Sequence, residues 1–457
     1  MKIVIAPDSY KESLSALEVA TAIERGFREI FPEAEYVKLP VADGGEGTVE
    51  AMIAATRGRI VHVPVTGPLG ERVDGFYGIS GDEQSAFIEM AAASGLELVA
   101  PSLRDPLKTT SWGTGELIRH ALDAGVKHII IGIGGSATND GGAGMVQALG
   151  AKLLDDNEQP LGQGGGELDK LARIDLSGLD QRLAECRIEV ACDVTNPLTG
   201  KDGASAVFGP QKGATPEMIV TLDNALAHYA RVIARDLDID VLNLAGGGAA
   251  GGMGAALYAF CGAELRQGIE IVTDALHLAD QVADADLVIT GEGRIDSQTI
   301  HGKVPVGVAK VAKRFNKPVI GIAGSLTADV GVVHDHGLDA VFSVIYTICS
   351  LEDALEMAED VLAMMLQSMA EERKDIPEPS DIERVKRAVA AERAEGGLSM
   401  PDATVYQFVA APSLDMVPVR VSVSFPKSVL ALIDQKASVH GMTRSGFLAR
   451  AAQAYGA

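Results

Sequence analysis

Short glycine-rich segments that also carry aspartate, lysine or arginine are the residues of this sequence best suited to chemistry. Glycine lets backbone N–H groups approach phosphate oxygens, carboxylates can hold Mg²⁺ or orient a hydroxyl group, and a cation offsets the charge being transferred. Five such segments each follow an apolar run, at residues 7–11, 43–48, 134–142, 191–197 and 290–296. Each alone could be a tight turn, but together they indicate phosphoryl transfer.

Other chemistries fit the residues less well. The sequence has no GxxxxGK[ST] run, which argues against a P-loop kinase. Gly246, Gly248 and Gly251 match the GxGxxG spacing of dinucleotide sites, but they follow a weak strand at 241–244 and lack a clear ribose-binding acid. Ser136 lacks the nucleophile-elbow context of hydrolases. The residues themselves favour a small-molecule kinase or another phosphate-binding enzyme.

Alternating strands and helices at both ends of the chain must position these segments. Apolar strands are predicted at 2–6, 36–41, 187–191, 287–290, 317–323 and 340–346. Helical apolar spacing occurs at 16–30, 48–55, 304–315 and 351–371. Apolar strands that alternate with helices predict an α/β fold whose parallel sheet is covered on both faces.

The middle of the chain is richer in glycine clusters and predicts a second α/β domain inserted into the first. We expect residues 1–65 and 285–372 to form the discontinuous parallel-sheet domain, with 66–284 as the inserted domain. A ligand would then lie in the cleft between the two domains. Beyond it, the proline-containing polar stretch 373–416 is typical of a linker, and 417–457 would form a small module.

Charge and composition limit the partners and the location. The net charge is −24, and residues 373–457 carry 11 Lys and Arg against 9 Asp and Glu, which leaves −26 on the body. Such a body has no general affinity for nucleic acid or anionic membrane. No apolar run is long enough to span a bilayer, no signal-peptide pattern is visible, and the four cysteines form no CxxC pair. We expect a cytoplasmic protein with reduced thiols.

Six collinear motifs resemble the signatures of bacterial glycerate kinases. They are IAPDSYKESLSA at 5–16, PVADGGEGT at 40–48, and the runs at 132–142, 191–198, 208–214 and 290–296. The resemblance covers about residues 1–350 and implies ATP- and Mg²⁺-dependent phosphorylation of D-glycerate. The sequence is most similar to the enterobacterial members that make 2-phosphoglycerate, and 3-phosphoglycerate is the alternative product.

Loop position, charge and the resemblance together assign the expected site residues. Asp193 is expected to orient or deprotonate the glycerate hydroxyl, and Lys11 and Arg294 to contact phosphate or the substrate carboxylate. Asp43 and Asp296 are the candidates for Mg²⁺ binding. The expected residues for substrate or nucleotide binding are Asp8, Ser9, Asp43, Gly44, Gly45, Glu46, Gly47, Gly134, Gly135, Ser136, Asn139, Asp140, Lys212, Gly291, Glu292 and Lys303.

From about residue 351 to its end, the sequence resembles antitoxins of the HicB type. A ribbon strand at 419–426 and helices at 430–434 and 441–450 are similar to a ribbon-helix-helix module. The resemblance implies a homodimer formed through the tail, and the residues expected to contact DNA are Arg420, Ser422, Ser424 and Arg444. Two alternatives to an enzyme with a dimerising tail stay open: a metabolite-sensing DNA-binding regulator built on a kinase body, and a fusion with a passenger tail.

Overall fold

The computed structural model describes residues 1–11, 13–327 and 329–344, and the backbone of two short strands at 405–407 and 421–423. The strands are β1 Lys2–Ile5, β2 Glu35–Lys38, β3 Arg59–Thr66, β4 Arg72–Ile79, β5 Ser85–Glu89, β6 His128–Gly132, β7 Lys152–Leu154, β8 Arg173–Asp175, β9 Arg187–Ala191, β10 Glu264–Arg266, β11 Leu287–Ile295, β12 Val319–Leu326, β13 Ala340–Ser343, β14 Val405–Gln407 and β15 Val421–Val423. The α-helices are α1 Ala16–Arg28, α2 Thr48–Thr56, α3 Ala91–Ser94, α4 Trp112–Asp123, α5 Ala143–Ala148, α6 Ala204–Phe208, α7 Pro216–Leu237, α8 Ala249–Cys261, α9 Gly268–Ala275, α10 Leu278–Ala283 and α11 Val304–Lys313.

The first sheet is built from both ends of the described body, which confirms the predicted discontinuous parallel sheet. Its order is β13-β12-β11-β1-β2, and every neighbouring pair is parallel. Successive side chains of β1 face opposite sides: Ile3 and Ile5 pack in the cluster that contains Ile23 of α1, and Val4 packs on the other face with Val308 of α11. Each face of the sheet is therefore covered by a helix.

The second sheet is mixed, with the order β10-β9-β6-β5-β4-β3. Strands β10, β9, β6 and β5 are parallel, whereas β4 and β3 are antiparallel to their neighbours. One face packs in a core with helices α4, α5, α7 and α8. On the other face, Phe87, Ile130 and Ala191 belong to the same cluster as Val4 and Val308. The two sheets therefore share hydrophobic packing where they meet.

The chain passes from one sheet to the other at residues that differ from the predicted domain boundaries at 65 and 284. Strand β3 pairs along its whole length with β4, so the second sheet begins at Arg59. Helices α9 and α10 place Ile269, Val272 and Leu278 in the cluster that both sheets share. Residues 59–65 thus pair with the inserted segment through a hairpin with β4, and 268–283 pack where the two sheets meet.

Strand β11 corrects the prediction of a short strand at 287–290 followed by a loop. The strand continues to Ile295, pairing Gly291 with Ile322 and Arg294 with Ser325 of β12. Gly291 permits this because a Cβ there would lie 2.0 Å from the Ile322 carbonyl oxygen. The weak strand predicted at 241–244 is also absent, since these described residues form turns.

The tail is described only at β14 and β15, which pair antiparallel with Tyr406 opposite Ser422. Strand β14 lies in the stretch expected to be a linker, and β15 lies within the predicted ribbon strand. The predicted helices at 351–371, 430–434 and 441–450 lie outside the described residues, as do Arg420, Ser424 and Arg444. Within the described part, none of the helices has both the length and the apolar character needed to cross a membrane.

Candidate functional site

The carboxyl ends of strands from both sheets meet at one cleft. Asp8 and Asp43 follow β1 and β2 of the first sheet, and Asp193 follows β9 of the second. Glycines allow the two edges to touch: a Cβ on Gly268 would lie 1.7 Å from the Asp43 carbonyl oxygen, and one on Gly132 would lie 2.2 Å from the Gly44 carbonyl oxygen. Three of the motifs predicted from sequence therefore converge, because parallel strands present their carboxyl ends at the same edge.

Five carboxylates form an acidic row along this cleft, in the order Asp193, Asp43, Asp8, Glu292 and Asp296. Burial is the main cause that raises the pKa of Asp8 to about 7, and the negative charges of Asp43 and Glu292 add to it. Burial also raises the pKa of Glu292, with a further contribution from Asp296. The row therefore concentrates negative charge that the protein itself does not fully offset.

Asp193 stands at the second sheet's end of the acidic row. Asp193 is exposed at the cleft. Neighbouring protein atoms nevertheless reduce its hydration, which raises its pKa to about 6, and the negative charge of Asp43 adds to this rise. The Gly268 N–H donates to Asp193 Oδ1 at 3.0 Å, which opposes the shift and fixes the carboxylate. Gly268 begins α9, so a helix packed where the two sheets meet orients this residue of the second sheet.

Backbone and hydroxyl donors hold the other members of the row. The Ser9 N–H donates to Asp8 Oδ1 at 2.6 Å, and the Gly45 N–H donates to Asp43 Oδ1 at 3.0 Å. The Thr299 hydroxyl donates to Glu292 Oε1 at 2.6 Å. Each carboxylate is thus fixed in orientation by a neighbour close in sequence, which favours a preorganised site.

Three cations flank the first sheet's side of the row. Lys303 Nζ lies 3.5 Å from Glu292 Oε2, and Arg294 Nε lies 3.4 Å from Asp296 Oδ2. The charge of Lys11 lowers the pKa of Asp8, although less than burial raises it. The Arg294 side chain is 65% exposed and extends into solvent, so its distance from Asp296 can change when a ligand binds. The structure therefore brings together the cations and the acids that the sequence singled out.

The segment 134–142 after β6 has an exposed outer side and a buried inner side. Gly134 and Gly135 are exposed, and no heavy atom lies within 4 Å of a Cβ built on Gly134. Asp140 is fully buried and accepts hydrogen bonds from the N–H groups of Ser111, Gly142 and Gly144 and from the Ser111 hydroxyl, at 2.8–3.2 Å. Asp140 therefore holds the shape of the loop instead of facing the cleft.

Two further candidates lie inside this loop. Asn139 is fully buried, and its Nδ2 donates to Ser205 Oγ at 2.9 Å. Lys212 is only 1% exposed, and its Nζ donates to Ser136 Oγ at 2.7 Å. Gly134 and Gly135 are therefore the exposed glycines of this segment, while the polar side chains of Asn139 and Lys212 make their hydrogen bonds inside the loop.

The loop 44–47 after β2 leads directly into α2. Gly47 takes a left-handed conformation (φ 83°) at the start of that helix, and Glu46 is exposed. The Val49 N–H donates to Glu89 Oε1 at 2.9 Å, which ties the helix start to the end of β5. Burial raises the pKa of Glu89, with Glu50 and Glu46 contributing. Glu89 was not among the predicted site residues, although an acid that ends a strand at this edge could have identified it.

Comparison with known proteins assigns the family. The model of the glycerate kinase family matches residues 3–374. A glycerate 2-kinase of Escherichia coli K12 is 69% identical over 370 residues, covering 81% of this chain and 97% of its own, and a glycerate kinase of Haemophilus influenzae is 60% identical over the same length, covering 81% and 98%. The chain belongs to the glycerate kinase family. The predicted resemblance is thereby confirmed, and with it the prediction of an enzyme.

A solved structure supports the same assignment for the fold. The crystal structure of a candidate glycerate kinase 2 from Salmonella typhimurium LT2 is 77% identical and superposes with a TM-score of 0.77, covering 82% of this chain and 98% of its own. The two-sheet α/β architecture described above is therefore that of the glycerate kinase family.

A second family match overlaps the end of the first. The model of the HicB-like antitoxin of bacterial toxin–antitoxin systems matches residues 332–452, so 332–374 are matched by both families. The predicted resemblance of the tail is confirmed at this level. The E. coli relative is matched over 97% of its own length but covers only 81% of this chain. Most of the antitoxin-like segment therefore lies beyond the part that the two proteins share.

The acidic row fits the Mg²⁺ ion that the family implies. In the described ranges up to residue 344, no three carboxylate, imidazole or thiol groups form a preformed metal cage. Mg²⁺ in kinases is commonly held by one or two carboxylates together with substrate phosphates, so such a cage is unnecessary. The negative charge of Asp43 adds to the cost of ionising Asp8, and a divalent cation would relieve that cost. The other predicted ligand, Asp296, instead pairs with Arg294 and accepts the Gln298 N–H at 2.8 Å.

Proposed function

We propose that this chain transfers the γ-phosphoryl group of ATP to the 2-hydroxyl group of D-glycerate, giving 2-phosphoglycerate, with Mg²⁺ as cofactor. The observation that carries the proposal is that the acidic row and its three flanking cations lie together, with Gly132, two residues before the open Gly134, against Gly44 of the same cleft. A relative that is 69% identical and is a glycerate 2-kinase supports the choice of hydroxyl.

Asp193 is the proposed general base. Its pKa of about 6 leaves it mostly ionised at neutral pH, yet close enough to the working pH to accept a proton efficiently. The Gly268 N–H holds its Oδ1 in place. As the glycerate 2-oxygen attacks the γ-phosphorus, Asp193 takes the hydroxyl proton, the bond to the bridging oxygen breaks, and ADP leaves with that electron pair.

The remaining members of the site bind and orient the two substrates. Asp8 and Asp43 would hold Mg²⁺, which supplies positive charge to the phosphate oxygens when it is bound. Lys11, Arg294 and Lys303 would contact phosphate or the glycerate carboxylate. The N–H groups of two glycine segments, 44–47 and 134–135, are proposed to donate to phosphate oxygens, and Ser9, Glu46, Gly291 and Glu292 would shape the floor of the cleft.

A coupled assay on the purified full chain tests this proposal. With D-glycerate, ATP and Mg²⁺ we expect ADP release, and enolase added alone should convert the product directly to phosphoenolpyruvate. L-Glycerate serves as the control substrate and should give far slower turnover. A product that reaches phosphoenolpyruvate only after phosphoglycerate mutase is added would assign the 3-hydroxyl, and no turnover at all would contradict the proposal.

We propose a second candidate function for the tail because it matches an antitoxin family. Strand β15 pairs with β14 of the same chain, so this pair does not itself indicate a second copy. The candidate function is homodimerisation of the module 417–457 beyond the linker 373–416, with DNA contact by Arg420, Ser422, Ser424 and Arg444. Light scattering on the full chain and on residues 1–374, together with a DNA mobility-shift assay, tests both parts. An identical oligomeric state and no shift would mean that the tail is a passenger, whereas DNA binding without glycerate turnover would favour the regulator.

A cytoplasmic location is also part of the proposal. Cys186, Cys192 and Cys261 are free thiols, and Cys186 and Cys261 are buried. Reduced, buried cysteines are typical of proteins in a reducing compartment. Fractionation of cells that express the full chain would test the location.

A further inference from the structure

Lys212 is the most deeply buried cation of the described body and lies directly beneath the proposed phosphate loop. It ends the short 3₁₀ turn Pro210–Lys212, which follows α6. Its Nζ donates to Ser136 Oγ at 2.7 Å and to the Thr138 carbonyl oxygen at 2.6 Å. Both acceptors belong to the segment 134–142, so the ammonium group attaches to the inner side of that loop.

The charge of Lys212 lacks a carboxylate partner within the described residues. Its two hydrogen bonds go to neutral oxygens, and Asp140 is the acid whose charge acts on it. Asp140 already accepts four hydrogen bonds from other donors. Burial accordingly lowers the pKa of Lys212 to about 7. A buried charge that is not paired destabilises a fold, so this arrangement needs a reason outside stability.

The polar atoms around Lys212 are also incompletely satisfied. Thr138 Oγ1 and Asn139 Oδ1 are buried and have no hydrogen-bond partner within the part of the chain described. Most buried polar groups in folded proteins do have one. Hydrogen bonding inside this loop is therefore incomplete at Thr138 and Asn139, and Lys212 adds an unpaired charge there.

Lys212 contacts the inner side of a loop whose outer side is exposed. Ser136, which receives its hydrogen bond, is next in sequence to the exposed Gly135 and two residues from the exposed Gly134. Space beyond Gly134 is open, since a Cβ built there meets no heavy atom within 4 Å. At such short range and in poorly solvated surroundings, a single positive charge attracts an anion strongly.

We propose that Lys212 is a positioning residue that supplies, through Ser136, the countercharge for an anionic substrate group bound on the outer side of residues 134–136. The inference rests on the proposed function, and the anionic group is either the phosphate chain of ATP or the carboxylate of glycerate. ATP is the expected occupant because its phosphates carry more charge than one carboxylate. Binding of the anion completes the ion pair that the free protein lacks.

Lys212→Met and Lys212→Arg test the proposal, with exposed Lys170→Met as the matched control. We expect Lys212→Met to raise one KM about tenfold or more with a smaller change in kcat, and Lys212→Arg to recover part of that loss. The substrate whose KM rises identifies the bound anion. The melting temperature of ligand-free Lys212→Met should equal or exceed that of the parent, since an unpaired buried charge has been removed. A merely structural lysine would give the opposite shift.

Unchanged KM values for both substrates in folded Lys212→Met would overturn the proposal, as would a lower melting temperature with loss confined to kcat. If that variant does not fold, Ser136→Ala should show the same rise in KM, and an unchanged KM there would equally overturn it. Calorimetric binding of ADP to the full chain separates this outcome from failure of the proposed function. A parent that binds ADP at least tenfold more tightly than Lys212→Met supports the role of Lys212 at the nucleotide phosphates even without turnover. Equal binding of both ADP and D-glycerate by the two proteins contradicts the proposal.

Discussion

The two sides of the cleft use aspartate in opposite ways. On the second sheet, Asp140 has no exposed surface, and burial raises its pKa, but four accepted hydrogen bonds oppose that rise. On the first sheet, Asp8 accepts hydrogen bonds from Ser9 and lies beside like charges that help to raise its pKa to about 7. Both residues stand in glycine-rich motifs. The number of donors around each carboxylate therefore distinguishes the one that shapes a loop from the one that remains available to a ligand.

The largest expected effect separates Asp193 from every carboxylate that only shapes the fold. Asp193→Asn should lower kcat by about 100-fold or more, because loss of a general base typically costs that factor. The melting temperature should change little, since the amide oxygen can still accept the Gly268 N–H. The measurement is ADP release in the coupled assay, with the exposed Asp156→Asn as control. A kcat within tenfold of the parent would rule Asp193 out as the base.

A change at Asp140 should instead appear in stability. Asp140→Asn places an amide NH₂ group among the N–H and O–H donors of Ser111, Gly142 and Gly144, so at least one donor loses its acceptor. We expect the free energy of unfolding to fall by about 2–3 kcal/mol, measured by urea denaturation. Asp156→Asn again provides the control and should leave the urea midpoint unchanged. Unaltered stability of Asp140→Asn would remove the distinction drawn between the two aspartates.

The sequence predicts individual strands better than it predicts where each strand ends and which sheet it joins. Strand β9 was predicted at its observed bounds, and its carboxyl end places Asp193 in the cleft. The continuation of β11 through Gly291 was missed, because its pairing partner β12 is distant in sequence. The assignment of β3 to the second sheet was also missed, although its partner β4 is the next strand along the chain. Local patterns report which segments are strands, whereas sheet membership depends on contacts that no local pattern contains.

Roles within the motifs were the least predictable part. Asp140 and Asp8 both stood among the predicted ligand-binding residues, and only their surroundings tell them apart. Two of the donors that orient the acidic row, Gly268 and Thr299, lie outside the glycine-rich motifs. Their part becomes visible only when folding brings a helix start or a hydroxyl to within hydrogen-bonding distance of a carboxylate.

A smaller effect is expected at Asp8, and its direction depends on pH. The folded-state pKa of Asp8 is about 7 and its ordinary value is 3.8, so the folded protein binds this proton more tightly than the unfolded chain does. The carboxylate therefore costs stability progressively as the pH rises from about 4 to 7. Asp8→Asn removes that cost and should raise stability at pH 7.5 by about 1 kcal/mol, roughly 2–4 °C in melting temperature.

The difference between Asp8→Asn and the parent should shrink toward pH 5, where the parent's Asp8 is itself mostly protonated. Thermal denaturation at pH 5, 6 and 7.5 measures it, with Asp156→Asn as the control that should show no such trend. Equal melting temperatures for Asp8→Asn and the parent at all three pH values would mean that ionised Asp8 does not destabilise the fold. Activity should fall in the same variant, since Asp8 is a proposed Mg²⁺ ligand.

The smallest effect is expected from removing the antitoxin-like tail. The glycerate kinase family match ends at residue 374, and the E. coli relative is matched over 97% of its own length without the rest of this chain. Every member of the acidic row, the flanking cations and Lys212 lie before residue 304. A chain ending at residue 374 should therefore keep kcat and both KM values within about twofold of the parent, a difference below 0.5 kcal/mol.

Because both family matches include 332–374, a cut at 331 is the informative contrast and should lower solubility and activity, since it removes β13 from the edge of the first sheet. Loss of activity on cutting at 374 would show instead that the tail contributes to the catalytic body.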